Sequence, residues 1–186
     1  MVDSNEKNKK QQTKIDDHFV ANWHPKYDNF WHDEEDYQEI LKNVGAEIAR
    51  TGSIKKDTFE KIYKWKAPRS WHLVEFDKYS IYEYVIRKIA EEDPKEKLRN
   101  LVVLPGIAVP TGSTILHFIF PDNYPIMDMH TVSALEDLYG INIISPPTYV
   151  EYSRFRKRVM DIFDELNNWN LRHLDRALMA YDKTKN

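Results

Sequence analysis

Residues 104–130 read LPGIAVPTGSTILHFIFPDNYPIMDMH. The opening LPGIAV is too short, and too marked by proline and glycine, to be an element of its own. It separates two helical stretches. The upstream one is predicted to start at Asp93-Pro94 and reach about Val103, proline being welcome in a first turn. The downstream one starts at Pro110, carries Ile115, Leu116, Phe118 and Ile119, and should end near Pro121. Two helices meeting at a tight turn on Gly106 leave the first backbone N–H groups of the second helix without internal partners. Such donors, with the positive end of the helix macrodipole behind them, suit a phosphate. Residues 122–125 read as a loop from their turn-forming types. A further helix is expected from Asp128 to Tyr139, with Asp128 a good N-cap and Gly140 a left-handed C-cap.

The rest of the chain has the same helical rhythm. Tyr37, Ile40, Leu41, Val44 and Ile48 recur at three- and four-residue intervals over about Asp33 to Arg50, behind an acidic first turn. Phe59, Ile62 and Tyr63 mark a helix from about Ile54 to Lys66, stopped before Ala67-Pro68. Ile81, Tyr84, Val85 and Ile89 mark another from about Ser80 to Glu91. After Pro146-Pro147, the residues Tyr149, Tyr152, Phe155, Val159, Phe163 and Leu166 share a face, and a last helix holds Leu171, Leu174, Leu178 and Tyr181. In the stretch FVANWHPKYDNFW, Pro25 argues against one continuous helix. With five glycines and no clear alternating runs, the fold class is all-α. These stripes read first as core. Residues 1–17 read as a disordered polar tail and 18–186 as a single helical domain.

Composition excludes several classes of function. The chain has no cysteine, which rules out disulfides, thiolate zinc sites, a cysteine nucleophile and a cysteine-held iron–sulfur cluster. No apolar run approaches the roughly 20 residues that span a bilayer, so no membrane partner is expected. The N-terminal residues lack the apolar core of a secretory signal, which predicts an intracellular protein, cytoplasmic or in the nucleoid or nucleus. Net charge is −3, so any nucleic-acid site has to be local. From Thr148 to Asn186 eight basic residues face six acidic ones, a weak local excess. His18, His24 and His32 are too loosely spaced to define a metal centre.

The segment quoted above resembles the helix-hairpin-helix DNA glycosylase superfamily, which includes endonuclease III and the mismatch adenine glycosylase. Leu104, Pro105, Gly106, Ile107 and Ala108 match the hairpin, Thr111 and Gly112 the start of its second helix, and Pro125 to Asp128 the approach to the catalytic aspartate. His130 matches a common variant two residues beyond. The likeness spans about 35 residues and is topological elsewhere. It implies a compact two-lobed helical fold and hydrolysis of the N-glycosidic bond of a damaged or mispaired base in double-stranded DNA. Asp128 would stabilise an oxocarbenium-like sugar or activate water. Gly106, Ile107, Ala108, Pro110, Thr111 and His130 would lie along the DNA, with the N–H groups of Gly106, Ala108 and Thr111 facing a phosphate. The carbonyls of Val102, Leu104 and Ile107 would hold a monovalent cation; no other cofactor is implied.

Departures from the family pattern keep other readings open. Pro110 stands where strand-cleaving relatives carry a Schiff-base lysine, which implies a monofunctional enzyme. Ala108 replaces the second hairpin glycine, and Ser133 replaces an arginine five residues after the aspartate. A non-catalytic DNA-binding module, or a helical protein-interaction adaptor, fits those changes and the acidic net charge. Trp31, Trp65 and Trp71 are the tryptophans best suited to stack on bases, and Asp128 reads equally as a simple helix cap.

Overall fold

The computed structural model describes residues 14–89, 91–93 and 96–185. Every regular element among them is helical, and none of these helices is long and apolar enough to cross a membrane. In chain order they are α1 (Asp17–Trp23), α2 (Glu34–Thr51), α3 (Lys56–Lys66), α4 (Tyr79–Ile89), α5 (Glu96–Leu101), α6 (Val109–Ile119), α7 (Met129–Tyr139), α8 (Tyr149–Phe163) and α9 (Leu171–Lys185). Short 3₁₀ turns occupy His24–Asn29, Trp71–Leu73 and Phe76–Lys78. Pro25 ends α1 and opens the first of them, as its fixed φ dictates.

Residues 14–17, expected from the sequence to belong to a disordered tail, have a defined structure. Residues 1–13 lie outside the described part, but Ile15 is buried, its N–H donating to the Tyr139 hydroxyl at 3.2 Å. Asp16 caps α1 by accepting the Phe19 N–H at 2.9 Å. An apolar residue beside an Asp cap is a helix start signal inside an otherwise polar stretch. The helix predicted to run to Val103 ends at Leu101, and Pro94 of its expected first turn lies outside the described residues.

Helix α6 is the centre of the molecule. From Thr111 to Phe118 every residue is buried, with α2, α3 and α5 packed around it. A helix with polar groups can be buried so completely only if each finds a partner. Ser113 and Thr114 hydroxyls donate to the Pro110 carbonyl at 2.8 and 2.9 Å. The His117 ring bridges the Tyr37 hydroxyl and the Tyr124 carbonyl, both at 2.8 Å. Gly112 lets α5 approach, since a Cβ there would sit 2.7 Å from a Leu98 methyl.

Two helix groups meet around this axis. Helices α2 to α6 pack among themselves, while α9 gathers α1, the 24–29 turn and α7. Their apolar faces merge into one continuous core. Polar residues line a cavity where the two groups adjoin.

Candidate functional site

Asp128 sits at the start of α7 because its carboxylate caps that helix. Oδ1 accepts the His130 N–H at 3.0 Å, and the Thr131 hydroxyl accepts the Asp128 N–H at 3.0 Å in a reciprocal capping box. Gly140 closes the other end in the left-handed conformation, with φ 66°. The segment leading to Asp128 is pinned to α6, for Ser113 Oγ accepts the Met127 N–H at 3.0 Å. Thus α6 directly positions the residue before the carboxylate.

The second carboxylate oxygen meets a cation that sequence reading missed. Lys66 Nζ lies 2.5 Å from Asp128 Oδ2, with the two side chains only 11% and 20% exposed. Burial would raise the Asp128 carboxyl, but the Lys66 charge and hydrogen bond, with the His130 N–H, outweigh it and hold it below its ordinary value. Asp128 is therefore an anion at neutral pH. Lys66, brought by α3, was not among the expected site residues, and Pro110 stands in the first turn of α6.

The same helix, together with α4, also grips the turn between α5 and α6. Tyr63, three residues before Lys66, donates its hydroxyl to the Gly106 carbonyl at 2.7 Å, and Tyr82 donates to the Pro105 carbonyl at 2.9 Å. Residues three apart share a helix face, so one turn of α3 links the turn to the carboxylate. Gly106 has φ +78°, and a Cβ there would lie 2.6 Å from the Leu73 carbonyl oxygen. Only glycine fits.

The remaining hairpin residues are placed as follows. Ala108, exposed, is the N-cap of α6 and offers no side-chain cap; within the first turn Pro110 has no N–H, Val109 and Thr111 are buried, and the Gly112 N–H donates to the Ala108 carbonyl at 2.8 Å. Ile107 and Thr111 are buried, each 5% exposed. Pro110 is half-buried in the first turn. Leu104 is buried and its carbonyl already accepts the Ile107 N–H at 3.1 Å, so one lone pair remains for a cation, while Val102 is half-buried. Met129, Val103, Leu73 and Trp71 are exposed apolar side chains in or beside these segments.

Asp128 and Lys66 form one wall of a cavity of about 140 Å³ that also involves Tyr27, Trp31, Asp33, Trp65, Arg172 and Asp175. Trp31 lies stacked on Tyr27, with centroids 4.9 Å apart, and meets His130 edge-on at 5.4 Å. His130 Nδ1 is bonded to Asp182 at 2.8 Å. At the floor, Arg172 is 4% exposed and reaches Asp175 at 2.8 Å, Asp33 at 3.1 Å and Glu34 at 3.4 Å, with the rings of Tyr37, Tyr27 and Trp65 against its guanidinium. Burial pushes the Asp175 carboxyl up to about 6, against the pull of Arg172 and Lys66.

Of the tryptophans singled out for stacking, Trp31 and Trp65 line this cavity, whereas Trp71 is 45% exposed in the 71–73 turn. Arg172 and Asp175 carried no sequence signal, because an i, i+3 pair of opposite charge on a helix ordinarily sits in solvent. Among the described residues no group of His, Asp or Glu is arranged to hold a metal ion. No family model, no characterised protein and no solved structure matches this chain.

Proposed function

We propose that this protein is a monofunctional DNA glycosylase-like enzyme that hydrolyses the bond between a damaged or mispaired base and its sugar. The observation that carries this reading is the Asp128 carboxylate, ionised by Lys66 at the wall of an aromatic-lined cavity and tied through α3 and α6 to a glycine-turned helical hairpin. The N-terminus of α6 would take a backbone phosphate, and the cavity would take the flipped base. As the C1′–N bond breaks, the base leaves with the bonding pair and takes up a proton. The sugar becomes oxocarbenium-like, and the fixed negative charge of Asp128 stabilises it without reorganisation. Water then bonds to C1′ and its proton passes to the carboxylate or solvent. Lys66 acts as the charge partner of Asp128, its ammonium having no lone pair to attack the sugar.

The test is a set of duplexes bearing deaminated, alkylated and oxidised bases and mismatches, treated with alkali to reveal abasic sites. Asp128→Asn should retain duplex binding and the fold, Asn being a good cap. Excision should fall by at least about a hundredfold, the low end of losses seen when a preorganised electrostatic group is removed. Strand breaks should appear only after alkali, and borohydride should trap no covalent complex. Excision unchanged in the variant would refute the role of Asp128. A second reading, a non-catalytic hairpin module, draws on the same carboxylate being engaged on both oxygens by Lys66 and the helix cap. No excision anywhere in the set would select it.

A further inference from the structure

The cavity beside Asp128 holds two residues with buried polar atoms that have no partner. One is Asp175 Oδ1; the other is the indole N–H of Trp65. Both belong to residues held rigidly. Asp175 Oδ2 accepts from Arg172 at 2.8 Å, and Arg172 is itself clamped by Asp33 at 3.1 Å and Glu34 at 3.4 Å. Trp65 packs edge-on against Phe118 at 5.5 Å and on the Arg172 guanidinium at 5.3 Å. An unsatisfied buried acceptor or donor costs about 1–3 kcal/mol, so native proteins rarely keep one without use. Both residues, Asp175 and Trp65, belong to the lining of the same space.

The walls of that space suit a flat ring. Trp31, backed by Tyr27, and Trp65 supply aromatic surface, and a volume of about 140 Å³ is close to the roughly 150 Å³ cavity that accommodates benzene, so one ring fits inside and a fused second ring extends through the open side. Half-exposed Trp31, Asp33 and Met179 mark its open side, while Arg172 and Asp175 are buried. An ionised carboxylate can only accept hydrogen bonds, so a ring that turned a bare lone pair toward Asp175 would be repelled.

We infer that the cavity binds an amino-bearing planar heterocycle, whose exocyclic N–H donates to Asp175 Oδ1 and whose neighbouring ring nitrogen accepts from the Trp65 indole. Naming that heterocycle as a flipped amino-bearing base rests on the glycosylase reading; the pattern of donor and acceptor rests on the cavity itself. Asp175 and Trp65 are then the residues that set specificity, distinct from Asp128, which acts at the sugar.

The arrangement predicts how one substitution inverts the site. In Asp175→Asn, Arg172 keeps the amide oxygen at the place of Oδ2, so the amide NH₂ falls where Oδ1 was and an acceptor becomes a donor. The probes are 9-methyladenine and 9-methylpurine, which differ only by the amino group, titrated into the full chain while the Trp65 indole N–H signal is followed by NMR. That signal is assigned by its loss in Trp65→Phe. The native protein should bind 9-methyladenine at least about tenfold more tightly than 9-methylpurine, as expected for a hydrogen bond to a charged group. The Trp65 signal should move, and Asp175→Asn should abolish the preference. Equal affinities in the native protein, an unchanged preference in the variant, or no binding of either purine up to its solubility limit overturns the inference. Should Asp175→Asn fail to fold, Trp65→Phe carries the test: both purines should bind about fivefold more weakly, and unchanged affinity overturns it. An amino preference with no excision of any duplex sinks the glycosylase reading alone. Excision whose base preference is untouched by Asp175→Asn sinks the specificity assignment alone.

Discussion

Replacing Asp175 by Asn should tilt the pH dependence of stability, because the native protein buries two groups whose titrations oppose each other. Burial pushes the Asp175 carboxyl up from 3.8 to about 6. Its contribution is fully present below pH 3.8 and is lost as pH rises through about 6, since the folded state holds a proton that the unfolded chain has released. Burial pushes His117 the other way, from 6.5 down to about 4. Its contribution is present above pH 6.5 and is lost as pH falls through about 4. At about 1.4 kcal/mol per unit of pH, each gap corresponds to about 3 kcal/mol. The two largely cancel between pH 4 and 6. Asp175→Asn removes one side of the balance, so stability of the variant should climb by about 3 kcal/mol more than that of the native protein between pH 4 and 6.5. Urea unfolding followed by far-ultraviolet circular dichroism at half-unit steps reads this directly. Native and variant curves that run parallel across the window would refute the burial of an ionisable Asp175.

Gly106→Ala should lower stability by about 3 kcal/mol in urea unfolding, combining the cost of a left-handed alanine with a Cβ placed 2.6 Å from the Leu73 carbonyl oxygen. Lys66→Met leaves a carboxylate that is 20% exposed without its cation, and should cost toward the lower end of about 3–5 kcal/mol. In the same variant, burial is no longer countered by the ammonium, so the acid limb of any excision profile should move to higher pH. Duplex binding should weaken with salt on a shallow slope, reflecting the few phosphates that one hairpin neutralises; a slope near zero counts against hairpin contact.

Much of the fold was legible because its helices announce their ends. Gly52 and Gly140 follow α2 and α7, Pro68 follows α3, Pro110 opens α6, and the observed bounds fall within about two residues of the expected ones for these helices. The 3₁₀ turns at residues 71–78 were not legible, since a stretch of mixed aromatics and charges has no period. Asp128 was found as a cap because capping is a local property. Lys66 and Arg172 were not, being 62 and 44 residues from it in sequence. A lysine in the last turn of a helix reads as an ordinary complement to the macrodipole. What makes Arg172 part of the site is its place against the rings of Tyr27, Tyr37 and Trp65, and what makes Lys66 part of it is its ion pair with Asp128, and only tertiary packing produces either.

The grip of α3 on both Gly106 and Asp128 gives the site a built-in gauge. Tyr63 and Lys66 are separated by three residues of helix, an axial advance of about 4.5 Å that no loop movement can stretch. Because both contacts leave one turn of α3, the Gly106 turn and the Asp128 carboxylate are referred to the same rigid element, and a shift of that helix carries both with it.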